Sequence, residues 1–194
     1  MNFKFVIAIF ATLFTILGYI PYFKDIFARK TTPHLYTWLI WTITQGTAAA
    51  ALLYGGGKFG SFSLILGSIL AFSIFLISLK YGTEDVTLKD KIILIFALLA
   101  IVVWWQLDNP LVAVLMVSII DGVGYIPTIR KSFKDPRSET ISFWVIMAIV
   151  ALLALISSAE YNFLTVTYLA VLFAGDMAVI SVCLFRRRVV KIKK

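Results

Sequence analysis

The sequence predicts an all-α membrane protein with seven transmembrane helices. Three observations support this prediction: 61% of the 194 residues are hydrophobic, only 14% are charged, and the mean hydropathy is +0.96. Soluble domains average about 45–50% apolar and about 25% charged residues, so this chain has too few polar side chains to cover a soluble core. Its apolar stretches are continuous rather than alternating, which excludes a membrane β-barrel.

The individual helices follow from the positions of the apolar stretches. A helix needs about 20 apolar residues to cross about 30 Å of hydrocarbon. The predicted spans are Phe5–Phe27, Leu35–Leu53, Phe59–Leu79, Ile92–Leu107, Pro110–Ile129, Ile141–Ser157 and Phe163–Phe185. The connections between them are short, so we expect no soluble domain. The first stretch has one basic residue before it and no A-x-A cleavage site, so we expect a retained helix rather than a signal peptide.

The basic residues predict the orientation of the chain. Every lysine and arginine except Lys4 and Lys58 lies either near the end of span one or after span one, three, five or seven, on one side of the predicted bundle. The positive-inside rule then places the N-terminus outside and the C-terminus in the cytoplasm. We expect an integral protein of a prokaryotic inner membrane. The net charge of +8 is then explained by the basic cytoplasmic loops. We expect the lipid bilayer as a partner and no nucleic acid. The basic tail is expected to be an anchor, with a lipid-binding patch as the alternative.

An internal repeat organises the spans. The tetrapeptide Gly-Tyr-Ile-Pro at residues 18–21 recurs at residues 124–127, and the same register pairs further residues. These further pairs are Lys24 with Arg130, Phe27 with Phe133, Trp38 with Trp144 and Ile40 with Ile146. We therefore predict two parallel three-helix repeats joined by a linker helix, a 3+1+3 arrangement. The predicted divisions are a first repeat at 1–79, a linker helix at 80–109, a second repeat at 110–185 and a basic cytoplasmic tail at 186–194.

The repeated prolines and the basic loops after them resemble the SWEET and PQ-loop transporter superfamily. The matching residues are Pro21 and Pro127, while Tyr22 and Thr128 stand where PQ-loop proteins have glutamine. The 3+1+3 plan and the W-x-x-W pattern beginning at Trp38 are also similar to bacterial nicotinamide riboside transporters. The resemblance implies a transporter fold in which spans three and seven present polar residues to the substrate.

Two carboxylates lie inside predicted spans, Asp121 in span five and Asp176 in span seven. A charged side chain at the bilayer centre costs about 2.5–3.5 kcal/mol and by default marks an ion or substrate path. The alternative for both is a hydrogen-bonded packing role. A two-residue shift in the register pairs Gly67 with Gly175 and Asp176 with Ser68, and the resemblance implies that both Asp176 and Ser68 contact the substrate. We therefore expect Asp121, Asp176 and Ser68 to line a substrate site.

The aromatic residues of spans two and six are further candidates. Trp38 and Gln45 lie on one helical face together with Trp41, and Trp144 is the repeat equivalent of Trp38. These rings could stack on a substrate or belong to the interfacial aromatic belt, and the sequence leaves both open. The repeated prolines at 21 and 127 permit a bend, so we expect hinges there.

The sequence contains few residues for catalysis. Cys183 is the single cysteine and His34 the single histidine, which excludes a disulfide framework, a His- or Cys-based metal centre and a Ser-His-Asp triad. We expect no enzyme activity, no cofactor and no metal. His34 follows a proline in a predicted cytoplasmic loop, where we expect it to be solvated.

These observations predict a carrier for a small polar solute (a sugar, an amino acid or a vitamin-like compound) that works by alternating access. The intramembrane acids allow for proton coupling. The alternatives are a nicotinamide-riboside-type vitamin carrier, a non-transporting receptor of the same fold and a passive pore. Homo-oligomerisation is left open.

Overall fold

A computed structural model describes residues 3–82, 87–107 and 110–189. Within these residues the backbone forms seven α-helices and one short 3-10 turn, Lys58–Gly60, and no β-strand. The helices are α1 (Phe3–Phe27), α2 (Leu35–Tyr54), α3 (Ser61–Tyr81), α4 (Leu88–Leu107), α5 (Pro110–Lys134), α6 (Ile141–Ser157) and α7 (Phe163–Val189). The predicted all-helical fold is confirmed for the described part of the chain.

Three helical segments are long and apolar enough to cross a membrane. They are Phe3–Phe27, Lys58–Tyr81 and Phe163–Val189, and Ile141–Ser157 is a shorter apolar helix. Large apolar side chains cover the outside of the bundle, with Leu17 53% exposed and Ile69 59% exposed. A helix that is apolar on its outer face needs lipid around it, so these helices fit a membrane location.

Several helices extend beyond the apolar stretches that predicted them. The helix α4 begins four residues before Ile92, and α5 continues to Lys134. Both added turns contain basic residues, whose long side chains can reach water. At the C-terminus of α5 a cation is also favourable for the helix dipole. Arg186, Arg187 and Arg188, which were predicted to begin the tail, form the last turn of α7. Residues 83–86 and 108–109 of the predicted linker and residues 190–194 of the predicted tail lie outside the described residues.

One end of the bundle collects the α1–α2 loop, the α5–α6 loop and the ends of α3 and α7. Lys131 at the end of α5 donates from Nζ to the carbonyl oxygen of Thr32 at 2.6 Å. The guanidinium of Arg29 lies 4.3 Å from the ring centroid of Tyr81 at the end of α3. Arg187 of α7 donates to two carbonyl oxygens of the α5–α6 loop. We call this end the basic end.

The other end, called here the opposite end, joins the start of α1 to the α2–α3 and α6–α7 turns. Lys4 donates from Nζ to the carbonyl oxygens of Ser158 at 2.6 Å and Ala159 at 3.0 Å. The α2–α3 turn uses Gly56 at φ +82°, a left-handed conformation that side chains rarely adopt. The loops therefore segregate as the basic residues predicted, with Lys4 and Lys58 at this end.

The expectation for His34 was wrong. Its side chain is only 2% exposed, and it is the N-cap of α2. Its Nδ1 accepts a hydrogen bond from the backbone N–H of Thr37 at 3.4 Å and lies 3.2 Å from the Thr37 hydroxyl oxygen. A free N–H at a helix start needs an acceptor, and the imidazole supplies it inside the folded loop.

The packing of α1, α2 and α3 resembles the packing of α5, α6 and α7, the helices that lie 106 residues later in the chain. The helix α1 packs against α3 and α6, whereas α5 packs against α7 and α2. The helices α2 with α3 and α6 with α7 form the corresponding close pairs, and α4 packs against α5 and α2. The contacts within and between these two sets of three helices thus occur in matching pairs, whereas in the described part of the chain the contact of α2 with α4 has no counterpart at α6.

Candidate functional site

A small cavity lies between α1, α2 and α3 on one side and α5, α6 and α7 on the other. Its volume is about 50 Å³. A buried water needs at least about 10–15 Å³, so the cavity holds a few waters and no larger solute. The lining residues are Thr15, Tyr19, Trp38, Trp41, Gln45, Ser63, Leu64, Gly67, Tyr125, Phe143, Trp144, Met147, Val150, Ala151, Ala154, Leu169, Leu172 and Asp176. Four predicted site residues therefore meet here: Trp38, Gln45, Trp144 and Asp176.

A cluster of six rings closes the cavity on the side of the basic end. This aromatic layer consists of Tyr19, Trp38, Trp41, Tyr125, Phe143 and Trp144. Trp38 and Trp144 lie in the first turns of α2 and α6, which begin at the basic end. Ring centroids are 5.2 Å apart for Trp38 and Trp41 and 5.7 Å apart for Trp41 and Trp144. Both predicted tryptophans are buried inside the bundle, so neither is part of a lipid-facing belt.

Asp176 projects from α7 into the cavity lining and is held by α5. The Tyr125 hydroxyl donates to Asp176 Oδ1 at 3.0 Å and lies 3.3 Å from the carbonyl oxygen of Leu172. Among the described residues, Oδ2 of Asp176 has no hydrogen-bond donor. Gly175 permits this contact, because a Cβ there would lie 2.5 Å from Tyr125 Cζ. Tyr125 belongs to the repeated Gly-Tyr-Ile-Pro tetrapeptide but was not among the predicted site residues.

Asp121 lies away from the cavity lining, in the interface of α5 with α2 and α7. It is fully buried, and its Oδ1 accepts hydrogen bonds from the Tyr168 hydroxyl at 2.9 Å and from the Thr44 hydroxyl. Its Oδ2 is buried without a partner in the part of the chain that the structure describes. Tyr168 was missed by the sequence analysis, since the only available signal was a polar atom inside an apolar span.

Gln45 and Ser68 have different positions, although both were expected to contact substrate. Gln45 lines the cavity, and its amide has no hydrogen-bond partner among the described residues. Ser68 is outside the lining. Its hydroxyl donates to the carbonyl oxygen of Thr42 at 2.8 Å and joins α3 to α2. Gly67 lies between them, and a Cβ there would lie 2.6 Å from Gln45 Oε1.

The repeated glycines before the prolines make equivalent contacts across the bundle. Gly18 of α1 faces Ile146 and Met147 of α6, and Gly124 of α5 faces the corresponding Ile40 and Trp41 of α2. The absence of a side chain allows the helices to approach closely at both places. The helices α1 and α5 continue through Pro21 and Pro127, respectively.

A buried ion pair connects the basic end to the aromatic layer. Lys131 Nζ pairs with Glu139 Oε1, and the two side chains are 10% and 1% exposed. Glu139 Oε2 accepts a hydrogen bond from Trp144 Nε1 at 3.1 Å. Lys131 was predicted only as one of the basic residues that follow span five, and Glu139 was not predicted to have a role.

Further hydrogen bonds cross the same end of the bundle. Thr140 donates to Asp25 Oδ2 at 2.8 Å and shares a 2.7 Å hydrogen bond with Thr31. Asp25 and Thr31 belong to the first half of the chain, whereas Thr140 is the N-cap of α6. Hydrogen bonds thus join the two halves at the basic end.

Contacts between the two halves are also present at the opposite end. Gly60 packs so closely on α6 that a Cβ there would lie 2.6 Å from Ser158 Oγ and 3.1 Å from the carbonyl oxygen of Ala154. Together with the two hydrogen bonds from Lys4, these contacts join the two halves at this end. The cavity therefore lies between two sets of contacts that join the halves.

The comparisons with known proteins add no relative. No family model, no curated protein and no solved structure matches the chain.

The described residues contain no group of three or more His, Cys, Asp or Glu side chains that could hold a metal ion. The chemistry of the site therefore rests on Asp176, Gln45 and the aromatic layer.

Proposed function

We propose that this protein is a carrier that moves a small polar solute across the membrane by alternating access. The supporting observation is the cavity between the two halves of the bundle, which contains a buried carboxyl group and lies between separate contacts that join the halves at the two ends. A carrier needs such a site near the middle of the membrane and a seal on each side of it. A passive pore has no need of two seals.

The moving parts in this proposal are two parallel three-helix repeats, α1–α3 and α5–α7, joined by α4. The matched contacts of Gly18 with Met147 and of Gly124 with Trp41 support this division. Breaking the seal at one end while keeping the other would expose the cavity to one side at a time. Pro21 and Pro127 are the proposed hinges, because a proline removes one helical hydrogen bond and lowers the cost of bending.

The proposed orientation places the basic end in the cytoplasm and the opposite end outside. The basic residues at the ends of α1, α3, α5 and α7 support it. Fusion of a reporter that is active only in the cytoplasm to the C-terminus tests this orientation. Reporter activity at the C-terminus and none after Lys58 is the expected result.

Transport itself is tested with purified protein in liposomes. We expect saturable uptake, and Asp176→Asn is expected to abolish it or change its response to a pH gradient. Linear uptake without saturation would favour a pore. Binding of a solute without any uptake by the reconstituted protein would favour a receptor.

A further inference from the structure

We propose that the solute bound in the cavity is a small organic cation whose charge is spread over methyl groups or a ring. This inference rests on the proposed carrier function and names the chemical class of its substrate. Three properties of the lining support it: the sign of its charge, the nature of its surface and the number of its free polar groups.

The charge of the lining has one sign. Asp176 is the only ionisable acid among the lining residues, and none of the described lining residues is a lysine, an arginine or a histidine. Tyr125 supplies one hydrogen bond to the carboxylate, but Oδ2 has no donor among the described residues. A buried carboxyl group is either protonated or paired with a positive charge, and no side chain of the lining provides that charge. A cationic solute would supply the missing charge.

The surface of the lining consists mainly of aromatic rings. Trp38, Trp41 and Trp144 line the cavity together with Tyr19 and Tyr125, and all five are at most 3% exposed. Aromatic faces carry negative electrostatic potential, and tryptophan attracts cations most strongly. Removal of water strengthens this attraction, so a buried group of rings beside a carboxylate suits a cation of low hydration energy.

The free polar groups are too few for a sugar. Thr15 donates to the carbonyl oxygen of Ala11 at 2.9 Å, and Tyr19 lies 3.4 Å from the carbonyl oxygen of Gly67. Among the described lining residues, four groups remain without a hydrogen-bond partner, fewer than the hydroxyl groups of a hexose: the Trp41 indole N–H, Asp176 Oδ2, the amide of Gln45 and the hydroxyl of Ser63. A sugar would bury many hydroxyl groups and leave several unsatisfied, which costs binding free energy for each one. An organic cation of this class has few or no hydroxyl groups, so it needs fewer hydrogen-bond partners than a sugar.

The size of the cavity requires that the aromatic layer moves when the solute binds. A volume of about 50 Å³ is too small for any organic cation. Trp144 is joined to the ion pair of the basic end through Glu139, so separation of these rings would accompany opening of that end. The conformation with this small cavity is then the solute-free one.

The first experiment compares ligands that differ only in charge. Binding of choline and of its neutral isostere 3,3-dimethyl-1-butanol to the detergent-purified protein is followed by tryptophan fluorescence, because three tryptophans line the cavity. Tetramethylammonium and N-methylpyridinium extend the set of cations, and glucose is the sugar comparison. We expect quenching by at least one cation at concentrations where the neutral isostere and glucose have no effect. Equal binding of choline and its isostere, or binding of no cation in the set, would overturn the proposal.

Variants then locate the binding. Asp176→Asn keeps an acceptor for Tyr125 but removes the charge, and we expect it to weaken cation binding by at least about tenfold, which corresponds to about 1.4 kcal/mol. Trp41→Leu is expected to weaken it and Trp41→Phe to weaken it less. Glu160→Gln is the matched control, because it removes one negative charge from an exposed side chain at the opposite end. Thermal unfolding verifies that each variant is folded. Full cation binding by folded Asp176→Asn would contradict the inference.

Uptake measurements separate this inference from the proposed function. Radiolabelled choline and glucose are offered to liposomes that contain the wild-type protein. Cation binding without uptake of any tested solute would contradict the carrier function and leave the ligand class standing. Uptake of glucose with no effect of cations would contradict the ligand class and leave the carrier function standing.

Discussion

The Tyr125 hydroxyl on α5 donates to Asp176 Oδ1 on α7 across 3.0 Å. The same two helices make a second such bond in the reverse sense, from the Tyr168 hydroxyl on α7 to Asp121 Oδ1 on α5 at 2.9 Å. The first bond faces the cavity and the second lies outside its lining. In the repeat register Thr15 corresponds to Asp121, and after the two-residue shift Ser68 corresponds to Asp176. The first half of the chain therefore has no equivalent acids, and the two halves differ in chemistry despite their matched contacts.

Removal of the Tyr168 hydroxyl is expected to lower the free energy of unfolding more than removal of the Tyr125 hydroxyl. Tyr168→Phe removes a donor from the fully buried Asp121, whose Oδ2 already has no partner, so we expect a loss of about 1–3 kcal/mol in unfolding free energy. Tyr125→Phe leaves Asp176 beside a cavity where water can replace the hydroxyl, and we expect a loss of about 1 kcal/mol or less. Thermal unfolding in detergent compares the two variants. Equal destabilisation would show that cavity water does not replace the hydroxyl.

Gly175 predicts a second stability effect. A Cβ at this position would overlap the Tyr125 ring, so Gly175→Ala must move the ring that holds Asp176. We expect a destabilisation of about 1–3 kcal/mol, as overpacking of a core commonly causes. Gly122→Ala is the control, because its nearest neighbour is the end of the Val171 side chain at 3.3 Å. Unfolding midpoints measure both, and equal shifts for the two variants would contradict the assigned role of Gly175.

The helices were predictable because their signal is local. A continuous apolar stretch fixes a helix wherever its neighbours lie, and the basic residues between stretches fix which loops share an end. The repeat register also paired Trp38 with Trp144, and both line the cavity. For the helices and for this pair of tryptophans, the residue type and its position in the sequence were sufficient for the prediction.

The hydrogen-bond partners were not predictable, because they depend on how neighbouring helices rotate about their axes. Asp121 and Asp176 look alike in the sequence, yet only Asp176 lines the cavity. Ser68 was expected at the site and instead bonds the backbone of α2. His34 was expected in solvent and instead caps a helix, since the sequence does not show how the α1–α2 loop folds back.

The buried ion pair at the basic end predicts a characteristic pattern in a double-mutant cycle. Lys131→Met leaves Glu139 buried without its cation, and we expect a loss of about 3–5 kcal/mol in unfolding free energy. Glu139→Gln alone leaves Lys131 without its anion but keeps an acceptor for Trp144 Nε1. The double variant removes both charges and is expected to recover part of the loss. Strictly additive losses in thermal unfolding would mean that the pair contributes no coupling energy.

The same variants predict faster chemical modification of Cys183. This single cysteine is fully buried in α7, one turn before Arg187, which donates to the carbonyl oxygens of Pro136 and Glu139 in the α5–α6 loop. Because Lys131 and Arg187 hold that loop together, we expect Lys131→Met to increase the rate of Cys183 alkylation by maleimide several-fold. Lys4→Met is the control, since it weakens the seal at the opposite end and is expected to leave this rate unchanged. An equal increase in both variants would indicate general loosening of the bundle rather than opening of the basic end.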